Sequence, residues 1–149
     1  MEMKTLTFVN LEGNEVEVHY QEKIDFKTLT AIPSMVRDVV FAEQLGGYAP
    51  QMYDTTFAHG VIVAYTDYRP VDLGEVYQLM TETNFVDKLY SLIDATQLNL
   101  LTTWTKDIIE FNKNRDGLDK LVAVMKNMPM LEEAMEDTQE DNVVPLATE

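Results

Sequence analysis

From Glu15 to Tyr20 the chain alternates: Val16, Val18 and Tyr20 fall between Glu15, Glu17 and His19. A period of two marks a strand with one face buried. Lys4–Val9 offers a second arm, and Asn10-Leu11-Glu12-Gly13-Asn14 joins the two, with Gly13 free to adopt the positive φ of a tight loop. A β-hairpin is therefore predicted over 4–20. A lone hairpin is marginal in water, so it must pack on helices or on another chain.

After Tyr20 the period lengthens. Asp25 is placed to cap a short turn from Phe26, and Pro33 is then expected to interrupt or restart the helix. Val36, Val39 and Val40 keep helical spacing over Ser34–Gln44, and Gly46-Gly47 should stop that helix. Thr55–Tyr68 is different in kind, because no charged side chain lies between Phe57 and Tyr65. A segment apolar nearly all round belongs inside a domain, and this one is too short to span a bilayer. Its β-branched run Val61-Ile62-Val63 also suits a buried strand. A helix over Gln51–Tyr68 is expected, since no turn separates the apolar zone from Gln51.

Arg69-Pro70 breaks the chain. Asp72 and Glu75 have capping-box spacing before Val76, Leu79 and Met80. Asn84 is the expected cap for a helix carrying Phe85, Leu89, Leu92 and Ile93. Leu98, Leu101, Trp104, Ile108 and Phe111 predict a long amphipathic helix, with Lys106, Asp107 and Lys113 on its polar side. Asp116-Gly117 should end it. Leu118, Leu121, Val122 and Met125 mark a further helix stopping before Pro129, and Met130, Leu131, Ala134 and Met135 a last turn or two. The expected fold class is α+β, mostly α, with the hairpin leading into a bundle of about five to seven helices around a buried central helix. The expected organisation is one globular domain over 1–137 and an acidic mobile tail over 138–149.

Charge narrows the choice of function. Twenty-six acids face 11 bases, a formal net charge of −15. From Leu131 onward Glu132, Glu133, Glu136, Asp137, Glu140, Asp141 and Glu149 meet no Lys or Arg. Direct nucleic-acid binding needs clustered cations, and anionic membranes attract them too, so neither is expected. An acidic surface suits solubility or docking to a basic protein. The chain has no cysteine, which excludes disulfides, thiol nucleophiles and thiolate metal sites. The stretch MEMKTLTFVN lacks the basic start and apolar run of a leader peptide.

The inventory of reactive groups is thin. His19 falls on the exposed face of a strand. His59 falls in the apolar segment, where a core histidine bonded to backbone or to a tyrosine hydroxyl is expected rather than a catalytic base. Glu132-Glu133 and Glu136-Asp137 recur at helical spacing without a calcium-loop pattern, so a solvated acidic face is expected rather than a metal site. Gly46-Gly47 lacks the Lys-Ser/Thr of a phosphate loop. No catalytic residue, cofactor or metal site is expected. The candidate partner-binding residues are Met125, Met128, Met130, Leu131, Met135, Glu132 and Glu136, because flexible thioethers beside acids suit adaptable protein contacts; ordinary core filling is the alternative. The hairpin likewise either lends its outer edge to a neighbour's sheet or simply covers the bundle.

The stretches KTLTFVNLEGNEVEVHYQEKIDF, FAHGVIVAYTDYRPVDLGEVYQLM and NFVDKLYSLI, taken in order, resemble small proteins of the structural-gene clusters of tailed bacteriophages. The resemblance covers about two-thirds of the chain and lies in order and composition, not in an invariant motif. It implies a tail-assembly-chaperone-like protein or a small head–tail or tail component. Such a protein has no active site, binds other virion proteins or further copies of itself, and resides in the host cytoplasm or the virion. The alternative is an acidic inhibitor or nucleic-acid mimic that fills the basic groove of a host or defence protein. A metal-dependent enzyme using carboxylate ligands is the third class.

Overall fold

The computed structural model describes residues 2–126. The fold is mostly helical, with an N-terminal hairpin and five α-helices among the described residues. Two compact units divide the chain, Met1–Glu110 and Phe111–Glu149.

In the first unit β1 (Lys4–Val9) and β2 (Glu15–Tyr20) pair antiparallel, Leu6 opposite Val18 and Phe8 opposite Val16. The Asn10 carboxamide closes the loop, accepting from Glu12 N at 3.1 Å and Asn14 N at 2.8 Å. Gly13 sits at φ 83°, the left-handed conformation expected of it. Leu6, Phe8, Val18 and Tyr20 are buried, and the Phe8 ring stacks on Phe85 at 4.5 Å.

Helix α1 (Phe26–Val40) begins where expected, with the Asp25 carboxylate accepting from Thr28 N at 2.8 Å. Two expectations here need correction. Pro33 neither interrupts nor restarts the helix; it is buried inside it. A proline there removes the single N–H that would have bonded Leu29, and burial of Leu29, Ile32 and Val36 around it holds the helix together. The helix also ends at Val40, not at Gln44. Glu43–Leu45 forms a separate 3-10 turn, and Gly46 and Gly47, at φ 88° and 85°, close that turn instead.

Helix α2 (Tyr53–Tyr65) is the buried central helix. The helical alternative holds over the strand, with a 3-10 turn at Pro50–Met52 leading in. Gly60 lets α1 approach closely: a Cβ there would lie 2.7 Å from Met35 Cε and 3.1 Å from Ile32 Cγ2. Beyond α2 the chain returns to the hairpin. Tyr65 O accepts from Gln21 N at 2.8 Å, Asp67 N donates to His19 O at 3.0 Å, and Thr66 bridges Tyr20.

Helix α3 (Leu73–Glu82) starts at Asp72, whose carboxylate accepts from Glu75 N at 2.8 Å. The capping box is half made, because the Glu75 carboxylate accepts from the Tyr68 hydroxyl at 3.3 Å. Helix α4 (Phe85–Leu92) is not capped by the Asn84 side chain, contrary to expectation. Thr83 does that work. Its hydroxyl accepts from Phe85 N at 3.2 Å and donates to Leu79 O at 2.6 Å.

Helix α5 (Ala95–Lys126) runs through Asp116-Gly117, where an end was expected. An interior glycine costs only about 1 kcal/mol relative to alanine, which a helix of 32 residues absorbs. The predicted further helix carrying Leu118, Leu121, Val122 and Met125 is thus the continuation of α5. Leu101 is buried, and Leu98 and Trp104 pack against the core. In the second unit Phe111 is 64% exposed and Leu118 60%. The predicted acidic tail over 138–149 lies outside the described residues.

Candidate functional site

The hairpin register decides which peptide groups face outward. Asn10 N donates to Asn14 O at 2.8 Å, and successive pairs in an antiparallel ladder alternate between bonded and non-bonded. Asn10, Phe8, Leu6 and Lys4 therefore bond to β2, while Thr5, Thr7 and Val9 direct N–H and C=O away from it. The same phase turns Glu15, Glu17 and His19 of β2 outward, with Gln21 next in phase just past its end, and of these His19 and Gln21 bond Asp67 and Tyr65. The C-terminal half of β2 is thus covered by the chain leaving α2. Among the described residues no strand pairs with the outer edge of β1.

A cleft of about 560 Å³ opens along that edge. Thr7, Phe8, Val9, Asn10 and Glu15 form one wall; Thr81–Asn84 and Lys88, at the α3–α4 corner, form the other. Across it the Lys88 ammonium donates to Thr7 O at 2.6 Å. That carbonyl is one of the outward groups, so Lys88 occupies a position that the N–H of an added strand would take. Lysines that blunt a sheet edge are a known device against unwanted pairing. The bond is exposed and worth little by itself, so a partner can displace it.

His19 lies at the far edge and is exposed as expected. Its ring Nδ1 sits 2.9 Å from Asp67 Oδ2, and its backbone N–H donates to Asp67 Oδ1 at 3.0 Å. Partial burial pushes the Asp67 carboxyl up, but the bonds from the His19 ring and backbone, with the His19 charge, outweigh it and hold the carboxyl below its ordinary value. This pair fastens 65–67 to β2. His59 departs from expectation: among the described residues its buried Nδ1 has no hydrogen-bond partner, and neither do Tyr53 Oη and Thr56 Oγ1 on the same helix. No group of three or more His, Asp or Glu among the described residues is arranged to hold a metal ion.

Of the predicted partner-binding residues only Met125 is described, half-buried near the end of α5. Met128, Met130, Leu131, Glu132, Met135 and Glu136 lie outside the described residues. Sequence reasoning missed Lys88 and the Thr81–Asn84 corner. Lys88 stands 81 positions from Thr7, and no local pattern links them.

A second concavity, of about 280 Å³, is walled by Tyr53, Phe57, Met80 and Tyr90, with Asp54, Thr102 and Lys106 also lining it. Burial, then the Asp54 charge, raises both the Tyr53 and Tyr90 phenols above their ordinary value; Asp87 adds to the effect at Tyr90.

Comparison of the chain with protein-family models, with curated proteins and with solved structures gave no match. No described helix is long and apolar enough to cross a membrane.

Proposed function

We propose that the protein is a non-enzymatic binding component that engages a partner protein through the outer edge of β1. The observation that carries this reading is the row of outward peptide groups at Thr5, Thr7 and Val9 beside the cleft of about 560 Å³. An extended segment added there gains main-chain hydrogen bonds along its length and side-chain pockets at alternate positions. The Met-rich acidic stretch Met125–Glu136 supplies a second, adaptable contact. The setting we propose is assembly or structure of a tailed-phage virion, as a tail assembly chaperone or a small head–tail or tail protein. That setting is supported by the order of hairpin and helices in the sequence, and it places the protein in the host cytoplasm or the virion.

The test is Thr7→Pro. Thr7 N points away from β2, so proline spares the β1–β2 bonds while removing an outward donor and setting a ring in an added strand's path. Binding of virion proteins from the native source should be lost, and hydrogen exchange on the wild-type complex should slow at Thr5, Thr7 and Val9. Undiminished capture by a folded Thr7→Pro protein refutes the edge. Truncation before Pro129 tests the second contact by the same capture. A second reading, an acidic inhibitor that imitates nucleic acid in a basic groove, is favoured by the net charge of −15. It predicts affinity that falls steeply with salt, and salt-insensitive binding discards it.

A further inference from the structure

We infer that the concavity between α2, α4 and α5 is a receptor for a guanidinium group, the arginine side chain of a protein partner. The site is distinct from the β1 edge and does not depend on it. Its volume, about 280 Å³, is below the range of ordinary small-molecule pockets and suits one inserted side chain.

The walls are aromatic rings. Tyr53 and Phe57 lie one helical turn apart on α2, their ring planes within 5° and their centroids 6.4 Å apart. Tyr90 from α4 stands across Phe57 at 75°, centroids 6.3 Å apart. Aromatic faces carry negative quadrupole potential and attract a cation held over them. The planar, weakly hydrated guanidinium stacks on such faces better than the compact ammonium of lysine. Met80 completes the apolar lining with a polarisable thioether.

A carboxylate completes the receptor. Asp54, exposed and without an ion pair among the described residues, places a carboxylate where it can meet the charge. The field of a chain with net charge −15 draws cationic partners toward the surface. Lys106 also lines the concavity and opposes the incoming charge. In this reading it competes for the carboxylate and for the ring faces, so its removal improves binding. An anion receptor would depend on Lys106 instead, and that opposite dependence separates the two chemistries.

The experiment titrates the full-length protein with N-acetyl-arginine methylamide while following the ring resonances of Tyr53, Phe57 and Tyr90. The matched N-acetyl-citrulline methylamide, uncharged and nearly the same shape, is the control. Saturable shifts with arginine, at least tenfold weaker with citrulline, are expected. Asp54→Asn should weaken arginine binding at least several-fold, and Lys106→Gln should strengthen it. Both residues are exposed, so neither change threatens the fold, and circular dichroism verifies that. Equal response to citrulline, absence of saturable shifts, or loss of binding in Lys106→Gln each overturns the assignment.

Discussion

Gln97 ties three elements of the first unit together, and Gln97→Ala measures the tie. Its side-chain oxygen accepts from Ile24 N at 3.0 Å and from the Tyr65 hydroxyl at 2.7 Å, while its amide donates to Ile24 O at 2.9 Å. One carboxamide thus joins the β2–α1 connection, the end of α2 and the first turn of α5. Each net hydrogen bond contributes about 0.5–1.5 kcal/mol, and each buried group left without a partner costs about 1–3 kcal/mol. Tyr65 is 0% exposed and Ile24 6%, so their freed groups are poorly placed to find water. Gln97 itself is half-buried, and some water will enter the vacated space. The expected loss is about 3–4 kcal/mol, a large share of the roughly 5–15 kcal/mol that stabilises an ordinary domain. Tyr65→Phe is the control. It removes the hydroxyl but leaves the Gln97 oxygen bonded to Ile24, so it should cost only about 1 kcal/mol. In the Gln97→Ala background the same change should cost nothing or stabilise, because the orphaned hydroxyl disappears with it. Urea unfolding followed by Trp104 fluorescence and by circular dichroism supplies the four free energies. A Gln97→Ala loss under about 1 kcal/mol, or a Tyr65→Phe cost unchanged in that background, refutes the reasoning.

Other outcomes are expected. Gly60→Ala should destabilise by about 1–3 kcal/mol, because the Met35 terminus can move aside while the branched Ile32 cannot, and urea midpoints will register it. Burial, with the Asp94 charge, pushes the Tyr65 phenol up to about 12. Its raised folded-state value contributes stability that is complete below pH 10 and is lost as pH rises from there toward about 12. Tyr65→Phe should flatten that part of the stability profile, and an unchanged slope contradicts the assignment. Gly117 is helical and exposed, with open space where a Cβ would stand. Gly117→Ala should therefore raise helix content in α5 by about 0.5–1 kcal/mol of helix stability, readable by circular dichroism.

What the sequence made legible follows from the range of each interaction. The hairpin was readable to its ends because alternation at Val16, Val18 and Tyr20 and the left-handed Gly13 are local properties. The helical choice for α2 rested on continuity with Gln51, and the Asp25 and Asp72 caps follow from short spacings. The errors share a cause. Pro33, Asn84 and Gly117 were read by residue preference, and each was overruled by context: packing around α1, a threonine one position earlier, a helix long enough to absorb one glycine. The clefts were invisible for a different reason. Thr7 meets Lys88, and Tyr53 shares a wall with Tyr90, only after distant segments have docked.

The covering of β2 by residues 65–67 has a consequence for how copies of this ribbon can join. A sheet open on both sides can stack neighbour upon neighbour into a fibre. Here the chain's own return covers the end of β2, at His19 and Gln21, and Lys88 holds an outward carbonyl of β1, so neither side offers an unbroken row. A strand added to β1 must displace Lys88, and one added to β2 finds only the stretch at Glu15 and Glu17. The route to a fibre is thus broken on one side by the chain itself and on the other by a side chain.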